Sequence, residues 1–397
     1  MHLSQQASRV LGSRTTRARN RAEALRSRGV DVVNFAAGEL DLLPPEALRH
    51  ALYEAARGAT NRYTETAGLP ELRAALADRI SSLSEVNRTP GEVMVTTGAK
   101  HGLYLACLAL LDPGDEVLIP QPGWGTFTAQ VRLAGATPVP VETSGSEFVP
   151  LPEQLERART GRTRMVVVNT PNNPTGVVCP PETLARIAAW AVRHRLWILF
   201  DESYGELVLP GAVHAHPVAL VPEAREVTVT VGSFSKSFAV TGWRVGHVHG
   251  PAPVIEAMKN LQSHTTSSAS SVAQYAVLPA ARGELDTFVA DVRSTLRARH
   301  ALVGAALREI PQVTAVTPQG AFYYFLDFRT VVGGKLGGVP VAGSEALADV
   351  LLEQAHIALT PGKAFGADTC LRLSYAIGTD RIAEGLTALK RVISRAE

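Results

Sequence analysis

The chain has 397 residues, 46% of them hydrophobic and 19% charged, with a formal net charge of +2. That length suits two domains, or one large domain with an appendage, and supplies apolar material for a sizeable core. The near-neutral balance gives no case for nucleic acid, no apolar run reaches the length of a membrane span, and three scattered cysteines (Cys107, Cys179, Cys370) form neither a metal pattern nor a disulfide framework, which fits a reducing cytoplasm.

The first thirty residues carry seven arginines and one acid, Glu23. They lack the apolar centre of a secretory signal, so the choice lies between an organellar transit peptide and a basic amphipathic helix of the mature protein. From about residue 70 to 250, short apolar runs alternate with stretches of helical period. The runs are VMVTT (93–97), EVLIP (116–120), ATPVPVE (136–142), RMVVVN (164–169), LWILF (196–200), VTVTVG (227–232) and RVGHVHG (244–250). Strands alternating with helices predict an α/β fold with a mostly parallel central sheet covered on both faces, whose ligands bind beyond the carboxyl ends of the strands. After residue 284 the texture changes. A long helical stretch leads into a strand (AFYYFLDF), a Gly-rich connector, a helix and a last strand (CLRLSYA), predicting a smaller α+β unit.

Polar residues cluster just past the predicted strand ends. Gly98 and Ala99 follow the first, small enough for backbone N–H groups to face an anion at a helix start. NTPNNPTG follows RMVVVN, and in it Asn173 either offers its amide to a ring oxygen or makes a turn. Asp201 closes an apolar strand, where a carboxylate needs a partner, and Tyr204 comes three residues later. Then come Ser233, Lys236 and Arg244. Lys236 stands among small and apolar residues, so it either snorkels to the surface or is a buried, reactive amine. An anion cradle, an amide, a carboxylate, a phenol, an amine and a guanidinium fit one ligand together: pyridoxal 5′-phosphate. The amine forms the Schiff base, the carboxylate faces the pyridine nitrogen, and an aromatic face, Trp124, covers the ring.

These motifs, with GVDVVNFAAGELDL, NRYTETAGLPELRAAL and RLSYA around them, resemble the class I aminotransferases of fold type I, above all the bacterial aspartate type, some of which also use prephenate. The resemblance spans essentially the whole chain. It implies Lys236 as Schiff-base lysine and proton shuttle, and Asp201 as partner of the ring nitrogen. It implies Asn173 and Tyr204 at the ring oxygen, Trp124 stacked on the ring, and Gly98, Ala99, Ser233 and Arg244 at the phosphate. Tyr63 resembles the tyrosine that reaches the phosphate of a neighbouring subunit, which implies an obligate homodimer. Arg372 resembles the two-pronged grip on the substrate α-carboxylate, with Gly38 and Asn173 nearby. Ser13 and Thr15 match the N-terminal arm that closes over the site, which favours the mature-protein reading of the basic N-terminus. Lys100 resembles the cation for a side-chain carboxylate, its alternative being a solvated helix residue.

The resemblance also implies three parts: an arm and part of the small domain at 1–45, a cofactor-binding domain at 46–285, and a C-terminal domain at 286–397. Leu40 and Leu42 stand where a proline and an aromatic are usual, and Gly123 and Gly125 flank Trp124 where bulkier residues are usual. The two glycines predict a wider or looser substrate side. The expected reaction is transfer of an amino group from an aspartate- or glutamate-like amino acid to a 2-oxo acid such as 2-oxoglutarate, without metal. The rival is another pyridoxal-phosphate reaction on the same scaffold, such as an elimination.

Overall fold

The computed structural model describes residue 12, residues 14–58 and residues 60–397, with only the backbone course given for 14–19. Ser13 and the side chain of Thr15 thus lie outside the described residues. The basic N-terminal stretch forms the helix Arg14–Arg26, whose Ala22 is buried against Leu352 and Ala358.

The first strand, β1 (Val33–Asn34), is short. The seven apolar runs of the middle region then become β2 (Val93–Thr96), β3 (Glu116–Gln121), β4 (Thr137–Glu142), β5 (Thr163–Asn169), β6 (Trp197–Asp201), β7 (Thr228–Ser233) and β8 (Gly246–His249). They form one sheet in the order β2-β8-β7-β6-β5-β3-β4. The β3–β4, β3–β5, β5–β6 and β6–β7 pairs are parallel. Both faces are covered, so the inner strands read as continuous Val, Ile and Leu rather than alternating. Strand β8 runs antiparallel between β2 and β7, with Gly246 opposite both Thr96 and Ser233. Its start therefore meets the ends of two parallel strands, which brings Arg244 beside Gly98 and Ser233.

The later strands are β9 (Thr314–Ala315), β10 (Tyr323–Asp327), β11 (Lys335–Leu336), β12 (Val339–Pro340), β13 (Ile357–Ala358), β14 (Thr360–Pro361) and β15 (Cys370–Ser374). Four make an antiparallel sheet in the order β14-β15-β10-β9. The Gly-rich connector forms the hairpin β11–β12, with Gly337 and Gly338 both at positive φ, as its two-residue turn requires. A second apolar core, rich in aromatics such as Phe322, Tyr324, Phe328 and Tyr375, fills this region together with Phe35 and Leu40 from the N-terminal segment. The 22-residue helix Asp286–Leu307 contributes buried residues to it. Strand β1 pairs in parallel with β13, so the N-terminal segment belongs structurally to this second core. Among the described residues no helix is long and apolar enough to cross a membrane, and no cluster of His, Cys, Asp or Glu is placed to hold a metal.

Candidate active site

A cavity of about 430 Å³ opens at the carboxyl ends of the strands, between the two cores. Gly38, Ala99, Lys100, Trp124, Asn173, Asp201, Tyr204, Ser233, Lys236, Arg244 and Arg372 all line it, so the structure gathers these sequence-identified residues in one place.

Lys236 sits on the short helix Phe234–Ser237, whose start is capped by Ser233: the Ser235 N–H donates to Ser233 Oγ at 3.1 Å. Nζ donates to Gly38 O at 2.5 Å and lies 6.0 Å from the Tyr204 ring centre. Burial, followed by the nearby Arg372, Arg244 and Lys100 cations, lowers its pKa to about 8, against a smaller opposing pull from Glu39. The amine therefore gives up its proton more easily than a surface lysine, and it points into the cavity.

Asp201 ends β6. Its Oδ1 accepts from the Ser203 N–H at 3.0 Å and from Ser203 Oγ at 2.7 Å. Burial pushes this carboxyl up to about 6, the adjacent Glu202 adds to that, and Ser203 and Lys236 act the other way. Among the described residues nothing donates to Oδ2. A protonated ring nitrogen placed there would supply the missing charge partner.

The opposite end of the cavity is built for an anion. The helix Ala99–Leu110 starts at Gly98 with no side-chain cap, so its first N–H groups stay available. Arg244 lies just above, its Nη1 donating to Thr241 O at 2.9 Å. Gly98 has φ +74°, and a Cβ added there would sit 2.6 Å from Arg244 Nη2, so only glycine lets this guanidinium approach the helix start. Ser233 and Ser235 complete the lining. An amine between a lone carboxylate oxygen and an anion cradle, with the Trp124 indole as a wall, fits pyridoxal phosphate.

Arg372, on β15, faces the same cavity from the second core. Its Nη1 donates to Asn173 Oδ1 at 2.9 Å and its Nη2 to Ala36 O at 3.1 Å, with a longer contact to Thr360 Oγ1 at 3.4 Å. The guanidinium lies 4.2 Å from the Tyr323 ring centre. Asn173 is held in turn by its own N–H donating to Asn169 Oδ1 at 3.0 Å. Arginine takes the Asn173 carbonyl oxygen, which leaves the amide Nδ2 as the donor for a ligand. The Tyr204 hydroxyl is 2.9 Å from that of Tyr323, and burial, reinforced by Tyr323, keeps the Tyr204 phenol protonated. Lys100 lies at the rim, its Nζ 4.9 Å from the Trp124 ring centre. Partial burial and the Arg244 charge lower its pKa.

One sequence expectation needs correction. Gly123 and Gly125 do not loosen the wall: a Cβ on Gly123 would lie 2.5 Å from Pro120 O, and one on Gly125 2.8 Å from Ala364 O. Both positions are filled by backbone, and glycine is what lets the chain pack there. Tyr63 does not line the cavity of its own chain and is 94% exposed. Residues that sequence reasoning missed include Tyr323, Asn169, Ser203, Ser235, Glu39 and Thr241, all of them in the lining. Asn169 and Ser235 lay within motifs already singled out, and Tyr323 was hidden in a strand that reads as plain core.

A half-buried amine, a carboxylate with an unclaimed oxygen and an uncapped helix start beside an arginine, gathered at the strand ends, fit a pyridoxal-phosphate enzyme of fold type I. Residues 30–389 match the aminotransferase class I and II family. The chain is 38% identical over 375 residues, 94% of each protein, to a probable aspartate/prephenate aminotransferase of Aquifex aeolicus. It is 40% identical to an aspartate aminotransferase of Streptomyces avermitilis, covering 95% of this chain and 93% of that one. The structure of the Thermus thermophilus aspartate aminotransferase with maleate matches at TM-score 0.93 and 38% identity, covering 99% and 100% of the two chains. That of the Rhizobium meliloti aspartate aminotransferase matches at TM-score 0.95 and 33% identity, covering 100% of both. The chain belongs to the class I and II aminotransferases, and it moves an amino group between an amino acid and a 2-oxo acid with pyridoxal phosphate as cofactor.

Proposed function

We propose that the amino donor is a dicarboxylic amino acid of the aspartate or glutamate type, with 2-oxoglutarate as acceptor. One observation carries this reading: besides Lys236 and Arg244, the cavity lining holds two further cations, Arg372 and Lys100. Arg372 is fixed by Asn173 and Ala36. Lys100 makes no ion pair among the described residues and lies over the Trp124 ring. A substrate with two carboxylates satisfies both, and the aspartate aminotransferases of similar sequence support the same choice.

In this reading each side chain has one task. Arg372 grips the α-carboxylate in two-pronged fashion, its plane set by Asn173 and Ala36. When bound, pyridoxal phosphate supplies a conjugated ring that accepts the electron pair of the broken Cα–H bond. Lys236 takes the Cα proton on Nζ and later returns it, a role suited to an amine whose pKa burial lowers to about 8. Asp201 holds its charge against the ring nitrogen, Tyr204 and Asn173 donate to the ring oxygen, and Trp124 covers the ring. Gly98, Ala99, Ser233 and Arg244 hold the phosphate.

We assign residues 46–285 to a cofactor-binding domain and 286–397, with the segment before 46, to a smaller one. We also assign Tyr63 to the phosphate of a second copy's site, making the working unit a homodimer. Its exposure and its separation from its own cavity support that placement.

The substrate assignment is tested by steady-state kinetics with a panel of amino donors. Lys100→Met should raise the barrier for aspartate by about 1 kcal/mol, lowering kcat/KM roughly fivefold, and leave a neutral donor such as alanine within about twofold. Equal losses for both donors, or a wild-type enzyme that prefers the neutral donor, would contradict it.

A further inference from the structure

A second cavity, of about 260 Å³, lies on the far side of Ser203 and Ser233, which line both spaces. Its floor is apolar, built by Leu76 and Ile80 from the helix Pro70–Ser84, by Phe234 and Phe238, and by Val289. Polar groups ring it, and most are already satisfied. Arg79 pairs with Glu206 and with Asp286. Glu202 is bonded by His214 at 3.0 Å. Arg293 differs: its side chain, exposed where this cavity meets the surface, makes no hydrogen bond or ion pair among the described residues. Two imidazoles also keep an open valence, since His214 Nδ1 and His247 Nδ1 are buried without a partner. The His247 ring packs edge-on to Phe234, with centres 5.9 Å apart. A surface cleft of about 500 Å³, lined also by Val213 and Arg297, shares Gly205, His214 and Arg293 with this cavity.

Small-ligand sites combine an apolar, aromatic lining with a few convergent polar groups, and run from roughly 300 Å³ upward. This cavity is near that lower bound, so it suits one ring with a short tail. We propose that it binds an aromatic monocarboxylate, the carboxylate at Arg293 and the ring among Phe234, Phe238 and the two imidazoles. The free guanidinium selects a single negative charge, and the ring faces and edges select an aromatic body. An occupant there touches both serines that orient the reacting groups. Ser203 fixes Asp201, and Ser233 caps the helix that carries Lys236. The inference is independent of the dicarboxylate assignment.

The test is calorimetric titration of the holoenzyme with 3-phenylpropionate, which has neither an amino nor an oxo group to exchange. Binding at Arg372 in the active site is the competing explanation, so Arg372→Ala serves as a control and should keep the affinity within about twofold. Arg293→Ala should weaken binding about tenfold by removing the charge-assisted bonds. Ser84→Trp, at the half-buried end of the Pro70–Ser84 helix, should fill the cavity from its rim and weaken binding by at least about as much, without disturbing the core. Absence of binding to the wild type at millimolar concentration overturns the proposal. So does loss of binding in Arg372→Ala, or unchanged binding in both Arg293→Ala and Ser84→Trp.

Discussion

Arg372→Lys separates the two-pronged grip proposed for Arg372 from the charge that it carries. The lysine keeps one positive charge near the Tyr323 ring, while the planar fork is lost. In the wild type that fork is oriented by Asn173, Ala36 and Thr360 and lies 4.2 Å from the Tyr323 ring centre, so an incoming carboxylate meets a guanidinium already held in one plane. A hydrogen bond between charged groups contributes about 1.5–3 kcal/mol. Losing one of two prongs should therefore cost roughly 10- to 150-fold in kcat/KM for the amino donor. The assay compares the variant with the wild type on aspartate and on an amine that lacks the α-carboxylate, alongside a thermal melt to show that the fold is kept. The amine has nothing for Arg372 to hold, so its already slow reaction should change by less than about threefold. A loss on aspartate below about threefold, or an equal loss on the amine, would show that the α-carboxylate is held elsewhere.

Two further predictions concern the cofactor end and the reacting amine. Gly98→Ala forces a Cβ to 2.6 Å from Arg244 at a backbone φ of +74°, so it should weaken pyridoxal phosphate binding by about tenfold or more in equilibrium dialysis, and an affinity like the wild type's would refute the cradle. Lys236 has its pKa lowered from 10.5 to about 8 by burial. Between those values the unfolded chain holds a proton that the folded cofactor-free protein has released, so this residue makes stability rise with pH across that window. Urea denaturation of the cofactor-free protein at pH 8 and pH 10 should therefore show a smaller rise in Lys236→Met than in the wild type, and identical pH dependence in the two would remove the shift.

Much of the site was legible because its residues interrupt apolar strands. Asp201 after LWILF and Ser233 and Lys236 after VTVTVG break a hydrophobic pattern at the ends where a parallel sheet leaves its open crevice. Direction within the sheet was not legible in this way. Nothing in RVGHVHG tells that β8 runs against its neighbours, although this reversal delivers Arg244 to Gly98. Tyr323 was hidden for a related reason. In AFYYFLDF every position before Asp327 suits a core strand, and only pairing with β15 puts Tyr323 near Arg372 on one face, since Arg372 is opposite Phe325 two residues on. Gly125 was misread because its crowding comes from Ala364, more than two hundred residues away in sequence.

The hydrogen bonds at the substrate end have a consequence for how binding leads to chemistry. Arg372 belongs to β15, in the antiparallel sheet of the second core, while Asn173 follows β5 in the parallel sheet. Their 2.9 Å bond crosses from one body to the other, and so does the contact between the hydroxyls of Tyr204, after β6, and Tyr323, on β10. Lys236 adds a third crossing through Gly38 O on the N-terminal segment, which pairs with the second core. A carboxylate arriving at Arg372 therefore lands on the seam where these crossings meet. Any shift of one core against the other changes the distance between the gripped carboxylate and Nζ, so substrate binding and proton transfer are coupled through this seam. With the roles proposed for Arg372 and Lys236, a donor held only by one body would leave that distance unset, so the grip would set the reach of the amine.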